Sequence, residues 1–348
     1  MDKKRLYYLD ILRVIATIAV IVIHVSSQKF DSIPANSNEW KIFNIYDSLV
    51  RWCVPIFVMI SGALFLQKDI KITKIYQKYI LRLVIAFIFW SIIYTLYINY
   101  KHHLSLIEFA LEIISGQIHM WYIFMICGLY MITPILKKIA ESESIIKYYI
   151  ILSIIFTFTI NMIINYIVPI TRLSGMKIVA IFINHYNNMN LNFLFGYTCY
   201  FLLGYYLYKK DISKRKRYII YLASIICLIS TILLSAIYSI KLGRAYTGFY
   251  NYLNINTMIE SVGIFILVKY LFQNKKQNRF LVYISKHTFG IYLVHILIIN
   301  FINDFFYINT LSINPIISIP FITLATIIIS LFISIIFGKI PILKKYIV

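Results

Sequence analysis

The 348-residue sequence has few charged residues, and acidic ones are scarcest. Only 14% of its residues are charged, with 13 acidic against 34 basic side chains, whereas 61% are hydrophobic and the mean hydropathy is +0.79. Soluble domains usually carry about 25% charged residues, so this composition excludes an ordinary soluble protein. The composition therefore predicts a polytopic membrane protein embedded in a lipid bilayer.

Cysteine patterns and linkers are also lacking. The four cysteines, Cys53, Cys127, Cys199 and Cys227, lie in or beside apolar runs and show no C-x-x-C or Cys/His spacing. Together with the absence of H-E-x-x-H, this predicts no metal site. No Gly/Pro/Ser-rich stretch or internal repeat divides the chain, which predicts one membrane domain over 1–348.

Ten apolar runs are long enough to cross a bilayer as helices. They lie near 6–27, 44–67, 79–99, 118–137, 147–168, 191–208, 218–240, 252–272, 288–305 and 315–338. The net charge of +21 would suit nucleic acid, but most basic residues fall in alternate short loops between these runs. Because positive loops stay on the cytoplasmic side, we expect an all-α protein with about ten transmembrane helices and both termini in the cytoplasm. We exclude a nucleic-acid partner.

Two external segments are not expected to span the membrane. Residues 101–117 place Leu104, Ile107 and Leu111 at helical spacing among acidic residues, which predicts an amphipathic helix on the outer surface. The loop at about 169–190 has no readable motif.

The first apolar run, YLDILRVIATIAVIVIH (8–24), carries three polar side chains that share one helical face. At about 100° per residue, His24 returns to within roughly 20° of Arg13, and Asp10 lies within roughly 60° of it. Charged groups in hydrocarbon are costly, so this face predicts a functional site. The same residues are also compatible with snorkelling to the two membrane interfaces.

The orienting partner of His24 must come from another helix. Arg13 and His24 are about 16 Å apart along the helix axis, and Asp10 lies further still, so no triad can form on this face. Glu260 is the candidate, because a carboxyl group inside a span must be paired or protonated.

Depth along the predicted helices sorts the remaining polar residues into two layers. The inner layer holds Arg13, Ser61, Arg82, Tyr292 and His295, and the outer layer holds His24, His119 and Trp121, with Glu260 somewhat deeper. His119, Trp121 and Tyr122 are also typical of an interfacial aromatic belt.

Five segments, in order, resemble the membrane acyltransferase 3 family. The first run has that family's arginine eleven positions before a histidine. The others are VPIFVMISGALFL (54–66), HMWYIFMICGLYMITPIL (119–136), FLFGYTCYFLLGYYL (193–207) and FGIYLVH (289–295). The resemblance covers essentially the whole chain. It departs at the start of the third helix, where Tyr79 precedes Arg82 in place of a basic pair.

The resemblance implies an integral membrane enzyme that moves an acyl group, usually acetyl, from cytoplasmic acyl-CoA to a hydroxyl of a surface polysaccharide or lipid-linked sugar. It implies a bacterial cytoplasmic membrane location, with His24 catalytic and Arg13 essential. We expect His24 to act as general base or acyl carrier, with Glu260 as its partner. The expected acyl-CoA side comprises Arg13, Asp10, Ser61, Arg82, Tyr292 and His295, and the acceptor side His119, Trp121 and Tyr122.

A carrier or flippase for a lipid-linked sugar or anion is the alternative from another class, because polar residues within ten spans suit transport as well. No match between the halves of the chain supports inverted repeats. The motifs identify neither the acyl group nor the acceptor, and they leave the oligomeric state open.

Overall fold

A computed structural model of the chain describes residues 5–191 and 196–347, and its regular structure there is helical throughout. Residues 193–195, which open one of the family-like segments, lie outside the described residues. The α-helices are α1 (Tyr7–Ser26), α2 (Asn38–Ser48), α3 (Cys53–Phe65), α4 (Ile72–Lys74), α5 (Leu81–His102), α6 (Leu106–Ser115), α7 (Trp121–Met131), α8 (Thr133–Glu141), α9 (Glu143–Leu152), α10 (Lys177–Asn188), α11 (Gly196–Lys209), α12 (Lys214–Leu242), α13 (Ile255–Phe272), α14 (Arg279–Phe306), α15 (Pro315–Lys339) and α16 (Pro341–Tyr346). The predicted all-α class is confirmed.

Eight helical stretches in the described residues are long and apolar enough to cross a membrane, or up to nine if one bent pair counts as a single span. The eight are Tyr7–Ser26, Asn38–Phe65, Ile72–His102, Glu143–Ile170, Lys214–Leu242, Gly248–Phe272, Arg279–Phe306 and Pro315–Lys339. Of the other predicted spans, 118–137 is divided between α7 and α8, and 191–208 corresponds to the 14-residue α11. Pro134 stands at the start of α8, because proline lacks the N–H that would continue α7.

Helix α14 begins nine residues earlier than the apolar run that predicts it. The Asn278 side chain accepts hydrogen bonds from the backbone N–H groups of Phe280 and Leu281 and so caps the helix at Arg279. Polar residues in the first turns lower the hydropathy of this extension, so the apolar run begins later than the helix. His295 therefore lies in the middle of a 28-residue helix, and the inner-layer depth predicted for it is wrong.

Helix α1 is at the centre of the helix bundle. It packs against α3, α13, α14 and α15, and 72% of its most apolar stretch is buried, against 11% for α12. The polar stripe of α1 consequently faces protein and the cavities described below, as expected for charged groups within an apolar span.

Helices α3 and α11 approach each other at two glycines. A Cβ atom on Gly62 would lie 1.8 Å from the carbonyl oxygen of Phe201, and one on Gly204 would lie 2.0 Å from that of Met59. Small residues allow such close backbone contact between membrane helices. This contact packs α11 directly against α3, which in turn packs against the central helix α1.

The segments predicted as external both contain helices. Helix α6 starts with a capping box between Ser105 and Glu108, and none of its residues is buried, which agrees with the predicted amphipathic helix. The segment 169–190, for which no element was predicted, contains the 12-residue α10.

Candidate active site

A cavity of about 220 Å³, the central cavity, lies beside the polar face of α1. Its lining residues are Arg13, Val20, Ile23, His24, Val54, Phe57, Leu83, His119, Trp121, Tyr122, Ile126, Tyr130, Tyr252, Thr288, Phe289 and Tyr292. Among these described residues, Arg13 is the only one with a permanent charge. The cavity joins Arg13 to His24, which the helical rise places about 16 Å apart.

Three histidines from different parts of the chain meet at one end of the central cavity. The ring centroid of His24 lies 5.1 Å from that of His295 and 6.3 Å from that of His119, and the last two are 5.0 Å apart. Tyr292 donates a hydrogen bond of 2.7 Å to the carbonyl oxygen of His119. Tyr292 and His295 therefore belong beside His24, and not in a separate layer with Arg13.

The orientation of His295 is set by its own helix. Its Nδ1 lies 2.6 Å from the carbonyl oxygen of Tyr292, which can only accept a hydrogen bond. Nδ1 therefore carries the proton, and Nε2 presents a lone pair. Nε2 is buried and has no hydrogen-bond partner among the described residues, so it is available to a neighbouring donor.

Asp10 organises the other end of the polar face. Its buried carboxylate accepts hydrogen bonds from Arg5 Nε at 2.6 Å, Arg5 Nη2 at 2.8 Å, Arg13 Nη1 at 3.3 Å and Ser285 Oγ at 2.7 Å. These contacts hold both guanidinium groups in fixed positions. A carboxylate with this role orients the arginines and would itself repel a phosphate.

Arg13 also lines a second cavity of about 630 Å³, here termed the basic cavity. It is lined by Arg5, Leu6, Leu9, Asp10, Arg13, Leu64, Gln67, Lys68 and Tyr208. Three basic side chains against one acid give this cavity a positive balance. Arg13 thus lines both the basic cavity and the central cavity.

A third cavity, of about 540 Å³, adjoins the opposite end of the central cavity. This loop cavity is lined by Arg51, Asn165, Tyr166, Pro169, Tyr197, Arg244, Ala245, Tyr246, Thr247, Gly248, Tyr250, Asn251 and Tyr252. Tyr252 lines both cavities and stacks on Trp121 at a centroid distance of 6.0 Å. Three cavities therefore follow one another, with Arg13 and Tyr252 at their junctions.

The remaining predicted residues border the central cavity at different places. Trp121 and Tyr122 line it directly, and Ser61 lies beside the hydroxyls of Tyr122 and Tyr130. The guanidinium of Arg82 lies 5.3 Å from the ring centroid of Phe289, another lining residue. The structure thus brings these side chains to one cavity.

Glu260 is the exception. Its Oε1 accepts a hydrogen bond of 3.1 Å from Thr231 Oγ1, which in turn accepts one of 2.8 Å from Asn256 Nδ2. This network lies between α12 and α13. The contacts give no support to Glu260 as the partner of His24, and its catalytic role stays a prediction.

Sequence reasoning missed several residues that the cavities bring together. Arg5 enters the sequence argument only as one of the basic residues that set the orientation, and a spacing of five residues from Asp10 is not one at which helical side chains meet, so no local pattern signalled their ion pair. Arg51, Arg244 and Tyr252 carry no motif and reach their cavity through loop packing. Within the described ranges, no group of three or more His, Cys, Asp or Glu residues is placed to hold a metal ion.

A family model described as an acyltransferase domain, of the acyltransferase 3 type, matches residues 6–335. No curated protein and no solved structure gives a significant match. The matched region runs from just before α1 into α15 and contains every residue that lines the central cavity. Since it covers nearly the whole chain, this protein belongs to the acyltransferase 3 family of membrane acyltransferases.

Proposed function

We propose that this protein moves an acyl group, with acetyl as the first candidate, from cytoplasmic acyl-CoA to a hydroxyl of a cell-surface polysaccharide or lipid-linked sugar. The observation that carries the proposal is the central cavity, which joins Arg13 at one end to His24 at the other. A donor and an acceptor can approach such a passage from opposite ends. Arg13 and His24 then serve different substrates.

The donor end is the basic cavity. Arg5, Arg13 and Lys68 line it, and guanidinium groups bind phosphate oxygens in a bidentate manner. The phosphates of CoA would bind here, while Asp10 holds the two arginines in place. The separation of about 16 Å between Arg13 and His24 is of the order of the pantetheine arm's length, so the thioester would reach His24 through the central cavity. Ser61 and Arg82 border this route.

The acyl transfer would take place at the three histidines. As a general base, His24 accepts the proton of the acceptor hydroxyl while the hydroxyl oxygen attacks the carbonyl carbon of the thioester. The new C–O bond forms, the C–S bond breaks, and the thiolate of CoA takes up the proton from His24. His295 Nε2 can accept a hydrogen bond from the second nitrogen of His24 and so orient the ring. Alternatively, His24 carries the acyl group transiently before the acceptor takes it.

The acceptor end is formed by Trp121, Tyr122 and His119. Trp121 is 39% exposed although it stacks on Tyr252, so one part of the indole remains available to a sugar ring. His119 lies beside His24 and lines this end of the cavity. An acceptor hydroxyl would therefore meet His24 next to these aromatic side chains.

The proposed topology places ten spans in a bacterial cytoplasmic membrane with both termini in the cytoplasm. The basic loops support this orientation through the positive-inside rule. The basic cavity, which includes Arg5 near the N-terminus, would then open to the side where acyl-CoA is made. The loop cavity would open to the external side.

Replacement of His24 by alanine in the purified full-length protein tests the proposal. Acyl-CoA consumption with surface glycan as acceptor should fall by about 10² to 10⁴-fold, the usual contribution of a general acid–base group. His102→Ala on the exposed end of α5 is the matched control and should leave turnover unchanged. Undiminished turnover in His24→Ala would contradict the assignment.

The carrier alternative is tested by ligand binding. A ligand of the native state raises the thermal unfolding temperature by mass action, so acetyl-CoA should stabilise the purified protein. No shift with acetyl-CoA, together with glycan export that survives His24→Ala, would favour transport without chemistry.

A further inference from the structure

Resting on the proposed function, we propose that the loop cavity binds an acidic group of the acceptor, so that the acceptor is a glycan carrying phosphate or carboxylate groups. The proposal extends the acceptor site beyond Trp121 and His119. It makes Arg51 and Arg244 residues that determine acceptor specificity.

The loop cavity has an ordered polar lining. Asn251 Nδ2 donates a hydrogen bond of 2.6 Å to the hydroxyl of Tyr166, and the Tyr246 hydroxyl donates one of 2.6 Å to the carbonyl oxygen of Tyr166. The backbone N–H of Tyr246 donates to Ser239 Oγ at 2.8 Å. The first two bonds tie the loop after α12 to the segment around Tyr166, and the third ties it to α12. Amide and phenol groups fixed in this way suit recognition of a sugar.

The charge in the loop cavity is positive. Arg51 and Arg244 line it, and the described lining residues include no aspartate or glutamate. Asp47 forms an ion pair with Arg51, but its side chain is only 2% exposed and is not part of the lining. Asp47 therefore pairs with Arg51 from outside the lining, while no ion pair joins Arg244 to an aspartate or glutamate among the described residues. A positively charged lining raises the local concentration of anionic ligands, which favours an acceptor that carries acidic groups.

Arg51 is held rigidly for such a role. Its guanidinium carbon lies 4.4 Å from the ring centroid of Tyr250, and its side chain is 14% exposed. A cation that is stacked on an aromatic ring and paired on one edge loses little conformational entropy when an anion binds to another edge. Arg244 lies on the exposed loop just after Gly243, which ends α12 in a left-handed conformation at φ +66°.

The loop cavity leads directly to the proposed reaction centre. Tyr252 is shared with the central cavity, and its ring stacks on Trp121. An acidic group bound at the two arginines would hold its glycan across Tyr252. A hydroxyl on a neighbouring sugar could then enter the central cavity beside His24. The arginines would set which residue of the chain receives the acyl group.

Binding of defined oligosaccharides to the purified full-length protein tests the proposal without any catalytic step. The probes are poly(glycerol phosphate) oligomers, hyaluronan oligosaccharides with carboxylate groups, and neutral dextran oligosaccharides of matched length. The variant is Arg244→Gln, an exposed position whose change should not disturb folding. The control is Arg215→Gln on the exposed start of α12, which removes the same charge outside the cavity.

At least one anionic probe should bind wild type more tightly than dextran, and which one binds identifies phosphate or carboxylate as the ligand. Arg244→Gln should weaken that binding by about tenfold or more, whereas Arg215→Gln should change it by less than about twofold. Equal binding of dextran and both anionic probes, or equal losses in the two variants, would overturn the proposal. The His24→Ala variant should bind the same probe normally, which separates failure of this proposal from failure of the proposed chemistry.

Discussion

The ring of His295 lies 5.1 Å, centroid to centroid, from the ring of His24, with its unprotonated Nε2 buried and unpartnered among the described residues. The expected partner of His24 was a carboxylate, and the structure places an imidazole there. A neutral imidazole can orient His24 through a hydrogen bond, but it cannot form an ion pair with the imidazolium. The proton that His24 takes from the acceptor hydroxyl would then pass to the thiolate of CoA, which returns His24 to the neutral imidazole.

Replacement of His295 by phenylalanine should lower kcat by about 10²-fold, because the acceptor for the second nitrogen of His24 is lost. The KM for acyl-CoA should change by less than about threefold, since His295 lies away from the basic cavity. His295→Gln, which retains a hydrogen-bonding group, should recover part of kcat. Steady-state kinetics in detergent separates the two parameters. A rise in KM with kcat unchanged would return His295 to the acyl-CoA site.

Asp10→Asn should weaken acyl-CoA binding and destabilise the protein. Asp10 is buried, but the side chains of Arg5 and Arg13 are 39% and 28% exposed, so water replaces part of what the two arginines lose with their common acceptor and the cost should be about 1 to 3 kcal/mol. We expect a higher KM for acyl-CoA and a lower thermal unfolding temperature. Ser285→Ala removes only one hydrogen bond to Asp10 and should cost about 1 kcal/mol. Equal effects of the two variants would argue against the organising role of Asp10.

Gly62→Ala or Gly204→Ala should separate α3 from α11. In each case the new Cβ would meet a backbone carbonyl at 2.0 Å or less, and overpacking of this kind costs about 1 to 3 kcal/mol. Thermal unfolding should reveal the loss. Gly128→Ala is the control, because a Cβ there meets nothing within 4 Å and α7 should tolerate it. A destabilised Gly128→Ala with intact Gly62→Ala would contradict the packing.

Lys269→Met should destabilise the end of α11. The buried ammonium donates hydrogen bonds to the carbonyl oxygens of Leu207 at 2.8 Å, Tyr208 at 3.2 Å and Lys210 at 2.8 Å. Each hydrogen bond to a charged group contributes about 1.5 to 3 kcal/mol, so the unfolding temperature should fall markedly. The exposed Lys276→Met should have no effect. Similar unfolding temperatures for both variants would show that Lys269 does not cap α11.

Glu260→Gln decides between the predicted catalytic role of Glu260 and the contact that the structure records. Glutamine can still accept the hydrogen bond from Thr231, so a structural role predicts a loss of no more than about 1 kcal/mol in stability and little change in kcat. A fall in kcat of about 10²-fold in a normally folded variant would restore Glu260 to the catalytic set.

Local pattern was sufficient for the features that depend on one segment. The period of α1 placed Asp10, Arg13 and His24 on one face, and the spacing of apolar residues over 101–117 predicted the amphipathic helix that α6 forms. The membership of the acyltransferase 3 family was also readable from motif order. The start of α14 was misplaced because Arg279, Lys286 and His287 interrupt the apolar pattern of residues 279–287, although a helix can continue through the membrane interface.

The sequence by itself determined that the chain is helical, membrane-embedded and built around a polar first helix, because hydropathy and helical period are properties of neighbouring residues. Only the tertiary structure decided that His295 and His119 surround His24, that Glu260 contacts Thr231, and that Arg13 and Tyr252 join three cavities. Those relations depend on how each helix is rotated about its axis and on how loops pack. The physical reason is that such rotation follows from contacts between distant segments, which no local pattern records.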